Sequence, residues 1–122
     1  NIAADEVDVI SAHATSTQVG DRSEVLAIKK LFGDHAGKVP VTANKSMLGH
    51  MLGAAGGAEA IALAESLRKG IIPPTMNVDN PDPECDLDIV REGARKASLN
   101  VGLSNSFGFG GHNSAIVLKK YK

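Results

Sequence analysis

Tryptophan is absent from this 122-residue chain, aromatic residues make up only 3%, and cysteine occurs once, at position 85. A lone thiol excludes an intrachain disulfide, and with it the disulfide framework of small secreted domains. So few aromatics leave a core of aliphatic and small side chains, which lets backbones approach closely and suits layered α/β packing. Excess charge of either sign is lacking too: the formal net charge is −1, with 22% charged residues. That balance carries no electrostatic footprint of a nucleic-acid or anionic-membrane partner. No apolar run approaches the ~20 residues needed to span a bilayer, so membrane insertion is not expected. No signal-peptide pattern opens the sequence, and a reducing compartment is expected. Asn1-Ile2-Ala3-Ala4 leads almost at once into a strand-like run, as expected of a chain cut from something longer.

What is present is 43% hydrophobic residues in a length ordinary for one compact domain, and one domain over 1–122 is expected. Val7 to Ala12 is rich in β-branched residues and nearly continuous in apolar character, which predicts a buried strand with His13 at its carboxyl end. Asp21 and, three residues on, Glu24 resemble a capping box; Val25, Ile28, Leu31 and Phe32 then recur at helical spacing before Gly33, predicting a helix over 21–32. Val39 to Ala43 predicts a second strand, with Pro40 near its start where a missing N–H does least harm. Residues 44–52 read as turn-like. A helix of small residues is predicted from about Gly53 to Lys69, stopped by Gly70. Pro73, Pro74, Pro81 and Pro83 interrupt any pattern over 71–92, which reads as a long ordered connection. Leu99–Ser104 and Ser114–Leu118 predict two closing strands, joined by a glycine-rich loop over 105–113.

Three of these loops follow strands and hold residues capable of chemistry: Ala12 to Thr17, Asn44 to His50, and Phe107 to Asn113. Ligands of α/β sheets gather at strand carboxyl ends. Each loop alone has a bland explanation, since a single histidine after a strand is more often a hydrogen-bonded structural residue than a catalyst. A metal site built from His13, His50 and His112 is disfavoured because their spacing supplies no close ligand pair. The Gly-Phe-Gly-Gly run at 108–111 lacks the helix start, Lys and Ser/Thr of a phosphate loop. His35 and His112 read as surface or loop residues. Cys85 lies between Glu84 and Asp86, whose carboxylates raise a thiol pKa, so it reads as structural.

The run Ala12-His13-Ala14-Thr15-Ser16-Thr17, followed by Gly20-Asp21 and Glu24, resembles the first histidine motif of the β-ketoacyl synthases. Lys45-Ser46-Met47-Leu48-Gly49-His50-Met51-Leu52-Gly53-Ala54-Ala55-Gly56 resembles their second, and Asn105 to Gly111 their C-terminal glycine-rich loop. Order and spacing agree from about Val7 to Leu118, also through Pro73-Pro74-Thr75 and Asp79-Asn80-Pro81; Gln18 stands where the family often has proline, a minor departure. The likeness is greatest to the type II elongation enzymes that act on free acyl carrier protein.

The resemblance implies a thiolase-like α/β fold with a mixed sheet and layered helices, of which this chain is the C-terminal half. It implies a decarboxylating condensation of malonyl-[acyl-carrier-protein] with an acyl group held on a cysteine, in fatty-acid elongation. That cysteine is expected upstream of this chain, which therefore is not expected to turn over alone. His13 and His50 match the catalytic histidines, expected to bind the malonyl thioester oxygen and stabilise the enolate left by decarboxylation. The helix beginning near Gly53 would point its positive end at His50, so a neutral, donating ring is expected there. Lys45 matches the active-site lysine, with Glu59 as its expected charge partner. Thr15 and Thr17 match residues that hydrogen-bond the phosphopantetheine arm. Phe109 matches the gate residue whose N–H also helps form the acyl-step oxyanion hole, and Gly108, Gly110 and Gly111 let that backbone approach and swing.

No cofactor or metal is implied beyond the phosphopantetheine of the acyl carrier protein partner. The family also implies a homodimer, a cytoplasmic location in bacteria or an organellar stroma or matrix, and a partner face that makes the isolated chain poorly soluble. A thiolase shares the fold and a Gly-His-x-x-Gly motif like Gly49 to Gly53, but expects a cysteine where this glycine-rich loop has Phe107 and Phe109. A polyketide ketosynthase is the other enzymatic alternative, and a folded dimerisation module without turnover the non-enzymatic one.

Overall fold

The computed structural model of the protein describes residues 1–121. Its main sheet has five strands in the order β4-β2-β1-β6-β7. These are β1 (Val9–Ser11), β2 (Pro40–Thr42), β4 (Asp88–Ile89), β6 (Val101–Phe107) and β7 (Asn113–Lys119). β1 runs parallel to both β2 and β6, β2 runs parallel to β4, and β6 pairs antiparallel with β7. The sheet is therefore mixed, as the family resemblance implies. Because β1, β2 and β6 share one direction, the loops that follow them leave from one edge, the usual place for an α/β site.

Alternation along the strands sets the layers. Ile10, Val41, Val101 and Leu103 face α1 (Gln18–Phe32) and pack with its Ile28 and Phe32. Val9, Val90 and Leu99 face the other way, against Leu63 and Leu67 of α3 (Ala55–Lys69). Val9 and Ile10 are fully buried, and each such side chain stabilises the fold by about 1.5–3 kcal/mol relative to exposure. Gly102 lies on the α3 side of β6, where an added Cβ would fall 2.6 Å from Leu63 Cδ1, so glycine is what lets α3 sit this close. Gly70 ends α3 at φ +66, and its N–H donates to Ser66 O at 2.8 Å, the stop expected of it.

Four expectations need correction. The first helix begins at Gln18, three residues before Asp21, and Glu24 does not cap it, because its carboxylate is captured by a neighbouring loop instead. Leu31 is exposed, since the face that meets the sheet is completed by Val25, Ile28 and Phe32. The connection over 71–92 contains β3 (Ile71–Ile72), antiparallel to β5 (Arg95–Lys96), as well as β4 on the sheet edge. Two-residue strands carry no periodicity that a sequence can display. Finally, residues 105–107 and 113 of the loop predicted over 105–113 are strand, because the β6–β7 ladder runs on to Phe107 opposite Asn113. The turn shrinks to 108–112. β7 is exposed along nearly its whole length, including Ile116 and Val117, which leaves an apolar sheet edge open.

Candidate active site at the strand carboxyl ends

β1 ends at Ser11, and the loop 12–17 that follows is strained: Ala14 and Ser16 have φ +33 and +64, a left-handed region that non-glycine residues enter at a cost of roughly 1–2 kcal/mol. What holds it there is Glu24. The buried carboxylate accepts the N–H groups of His13 and Ala14, each at 2.9 Å, and the side-chain amide of Asn105 at 3.0 Å. Three donors converge on one carboxylate across β1, α1 and β6. Asp21 makes a similar but more exposed contact, accepting from the Ser16 N–H at 3.2 Å, and burial pushes its carboxyl above the usual range.

The second loop contains α2 (Lys45–Leu48), a short helix within the segment read as a turn. It buries Lys45, whose ammonium donates to Glu59 Oε1 at 2.5 Å and lies 3.3 Å from His13 Nδ1. An ammonium has only donors, so Nδ1 of His13 accepts and that ring carries its proton on Nε2. Burial, and then the adjacent Lys45 charge, hold the His13 ring below the usual imidazole range, against the opposing pull of Glu24 and Glu59. A neutral ring follows at neutral pH.

His50 is exposed, and its Nδ1 accepts the N–H of Leu52 at 3.1 Å. This contact also assigns the ring proton to Nε2. Leu52 makes it from φ +52, so backbone strain flanks the second histidine as it does the first. The rings of His13 and His50 meet edge to face, with centroids 5.8 Å apart. Two imidazoles, each with Nδ1 occupied by a donor, thus stand side by side.

Of the residues singled out from the sequence, the structure brings His13, His50, Lys45 and Glu59 into one contiguous group. Thr15 and Thr17 lie on the His13 loop with their hydroxyls 3.3 Å apart, within hydrogen-bond distance of each other. Phe109 is not part of that group: its ring is 99% exposed on the turn between β6 and β7. Gly108 and Gly110 flank it; the Gly108 N–H donates to His112 O at 2.8 Å, and Gly110 takes φ +78. Phe107, not Phe109, packs against His13, with centroids 5.5 Å apart. Sequence reasoning missed Phe107 and Glu24 as site residues, although both lie inside the quoted motifs.

Cys85 lies away from the histidines. Burial pushes its thiol up, and the carboxylates of Asp82 and Asp21 add to the effect, so it is a poor nucleophile. A cavity of about 600 Å³ lies behind the His13 loop, between Ala14, Thr17 and Asp21 on one side and Asn77, Cys85 and Leu87 on the other. It does not include the histidine rings, which open directly to the outside on the His50 side. Among the described residues no cluster of three or more His, Cys, Asp or Glu side chains is arranged to hold a metal ion.

A family model described as the C-terminal domain of β-ketoacyl synthase matches residues 1–79. The 3-oxoacyl-[acyl-carrier-protein] synthase 2 of Coxiella burnetii is 51% identical over 119 residues, which are 98% of this chain and 29% of that protein. The chloroplastic 3-oxoacyl-[acyl-carrier-protein] synthase I of Hordeum vulgare is 50% identical over 121 residues, 99% of this chain and 26% of its own length. Among solved structures, a type II polyketide ketosynthase in complex with its acyl-carrier protein, AntDE:AntF, superposes with a TM-score of 0.96 at 38% identity, covering 99% of this chain and 30% of that one. The ishigamide ketosynthase/chain length factor gives a TM-score of 0.94 at 40% identity, with the same coverage. The chain spans less than a third of the length of these relatives. On the motifs, the sheet topology and these likenesses together, the chain belongs to the β-ketoacyl synthase family and carries its C-terminal domain.

Proposed function

We propose that this chain supplies the decarboxylation half of a β-ketoacyl-[acyl-carrier-protein] synthase site in fatty-acid elongation, with His13 and His50 as the catalytic pair. In that reaction the C–C bond to the malonyl carboxylate breaks and carbon dioxide leaves. Its electron pair passes into the thioester as an enolate, whose carbon then attacks the acyl-cysteine carbonyl and expels the cysteine thiolate. Negative charge develops on the thioester oxygen. A site that lowers this barrier needs preorganised donors at that oxygen rather than a base.

The observation that carries the reading is the shared tautomer: Lys45 on Nδ1 of His13 and the Leu52 N–H on Nδ1 of His50 leave both rings with Nε2–H to give. The Lys45–Glu59 pair fixes the first of these by holding the ammonium in place against His13. Thr15 and Thr17 hydrogen-bond the phosphopantetheine arm of the acyl carrier protein partner, while Phe109, between Gly108 and Gly110, gates the acyl step. Cys85 is unsuited to carry the acyl group, so the nucleophile is supplied from outside this chain, which does not turn over alone. Homodimerisation and a cytoplasmic or organellar setting complete the proposal, with no cofactor other than the carrier's arm. Fatty-acid elongation is preferred to polyketide synthesis because the fatty-acid relatives are about half identical to this chain over the aligned residues, against 40% or less for the polyketide ketosynthases.

The test is decarboxylation of malonyl-[acyl-carrier-protein] by the full-length protein that carries this sequence. Loss of a single oxyanion donor lowers kcat by about 10²–10³, so His13→Ala and His50→Ala are each expected to show that loss. Either variant retaining a rate close to the parent's would exclude that histidine from the reaction.

A further inference from the structure

After β3 the chain crosses the carboxyl end of β2 as a short strap. Thr42 Oγ1 donates to Pro73 O at 2.6 Å, the Ala43 N–H donates to Thr75 Oγ1 at 3.0 Å, and the Thr75 N–H donates to Val90 O at 2.7 Å. These bonds dock the strap on the sheet. Two more reach past the sheet to the α2 turn: the Met76 N–H donates to Ser46 Oγ at 2.8 Å, and the Asn77 amide donates to Ser46 O at 3.0 Å. Ser46 Oγ in turn donates to Ala43 O at 2.7 Å.

Asn77 makes its contact from φ +59, so backbone strain is spent on it. Of the four non-glycine residues with left-handed backbone among the described residues, three flank the histidines and Asn77 is the fourth. α2 needs such help. It has four residues and no side-chain cap, too short to hold itself together. Yet Lys45, one residue before Ser46, must meet His13 Nδ1 and Glu59 at the same time.

We propose that Ser46 and Asn77 are positioning residues for the histidine pair: together they clip the strap to the α2 turn and so keep Lys45 on Nδ1 of His13. The consequence for catalysis rests on the function proposed above, whereas the geometric claim stands on the hydrogen bonds alone. Asn77→Gly removes the amide but keeps the left-handed backbone, which glycine adopts freely, so this variant folds with only the Met76–Ser46 half of the clip. Ser46→Ala removes the hydroxyl, and Ser46→Thr restores it.

The experiment uses the full-length protein with 15N-labelled histidine, reading the His13 tautomer by NMR and the decarboxylation of a malonyl thioester by kinetics. The parent and Ser46→Thr are expected to show His13 protonated on Nε2. In Ser46→Ala and Asn77→Gly the signal is expected to move to an exchange average of the two tautomers. Misplacement of a catalytic group on this scale lowers kcat by about tenfold and leaves KM within about twofold. An unchanged tautomer in Asn77→Gly overturns the proposal, even if the melting temperature falls, because the clip would then be structural only. So does a Ser46→Thr variant that loses as much as Ser46→Ala. If the parent itself fails to decarboxylate the thioester, the proposed function falls, and the tautomer signal still decides the role of the clip.

Discussion

The loop after β1 and the turn after β6 leave the same edge of the sheet from neighbouring parallel strands, and they are held in opposite ways. The first is strained at Ala14 and Ser16 and is gripped from beneath by a carboxylate with three donors, a buried ion pair and a contact to the ring of Phe107. The second spans Gly108 to His112, is exposed throughout, and is closed by a single hydrogen bond from Gly108 to His112. One side of the site is thus preorganised by groups that the chain itself buries. The other is built from residues whose backbone can move cheaply. A reaction that stabilises charge at a fixed oxygen wants the first design, and one that admits a long acyl chain wants the second.

The sharpest way to break this contrast is to strip the buried charge. Lys45→Met leaves the Glu59 carboxylate, which is 1% exposed, without its cation. Breaking a buried pair from one side costs about 3–5 kcal/mol, and that loss is expected in denaturant unfolding of the full-length protein. Replacing Glu59 with Gln in the same background is expected to recover part of it. No loss in Lys45→Met would mean that the pair is not holding the site.

A second test sharpens the contrast through pH. His13 sits below its ordinary value of 6.5, so the unfolded chain takes up a proton before the folded one as pH falls. The neutral ring's contribution to stability is therefore complete above pH 6.5 and is lost as pH drops from there towards the depressed folded value. The acid limb of decarboxylation assigned to His13 is expected below pH 6.5 in the parent. Removing the Lys45 charge takes away one of the effects that lower it, so in Lys45→Met the limb is expected to move upward. A limb that stays in place would show that burial alone sets it.

The smallest effect belongs to the other loop. Phe109 buries nothing in this chain, and Phe109→Ala is expected to change stability by less than about 0.5 kcal/mol, read from thermal unfolding. A larger loss would show that the turn is held by more than the Gly108 contact.

Particular residues show where sequence reading succeeds. His13, Lys45 and His50 are legible because each follows a strand in a long motif, and the shared direction of β1 and β2 then guarantees that their loops meet. Glu24 shows where it fails. Its spacing from Asp21 fits a capping box, yet α1 starts earlier and the carboxylate turns back to serve the His13 loop. Local spacing registers a carboxylate but not which donors will surround it. The strap from Pro73 to Asn77 is hidden for a related reason, since its hydrogen bonds join residues about thirty positions apart.

From sequence alone come the fold class, the order of the principal strands and helices, and the family with its candidate histidines, because apolar periodicity and long motifs are local properties of the chain. The tautomers, the capture of the His13 loop by Glu24, the approach of Phe107 and the clip on α2 are decided only in the tertiary structure. Each depends on a donor meeting an acceptor, or one ring meeting another, across elements whose separation along the chain carries no record of their distance in space.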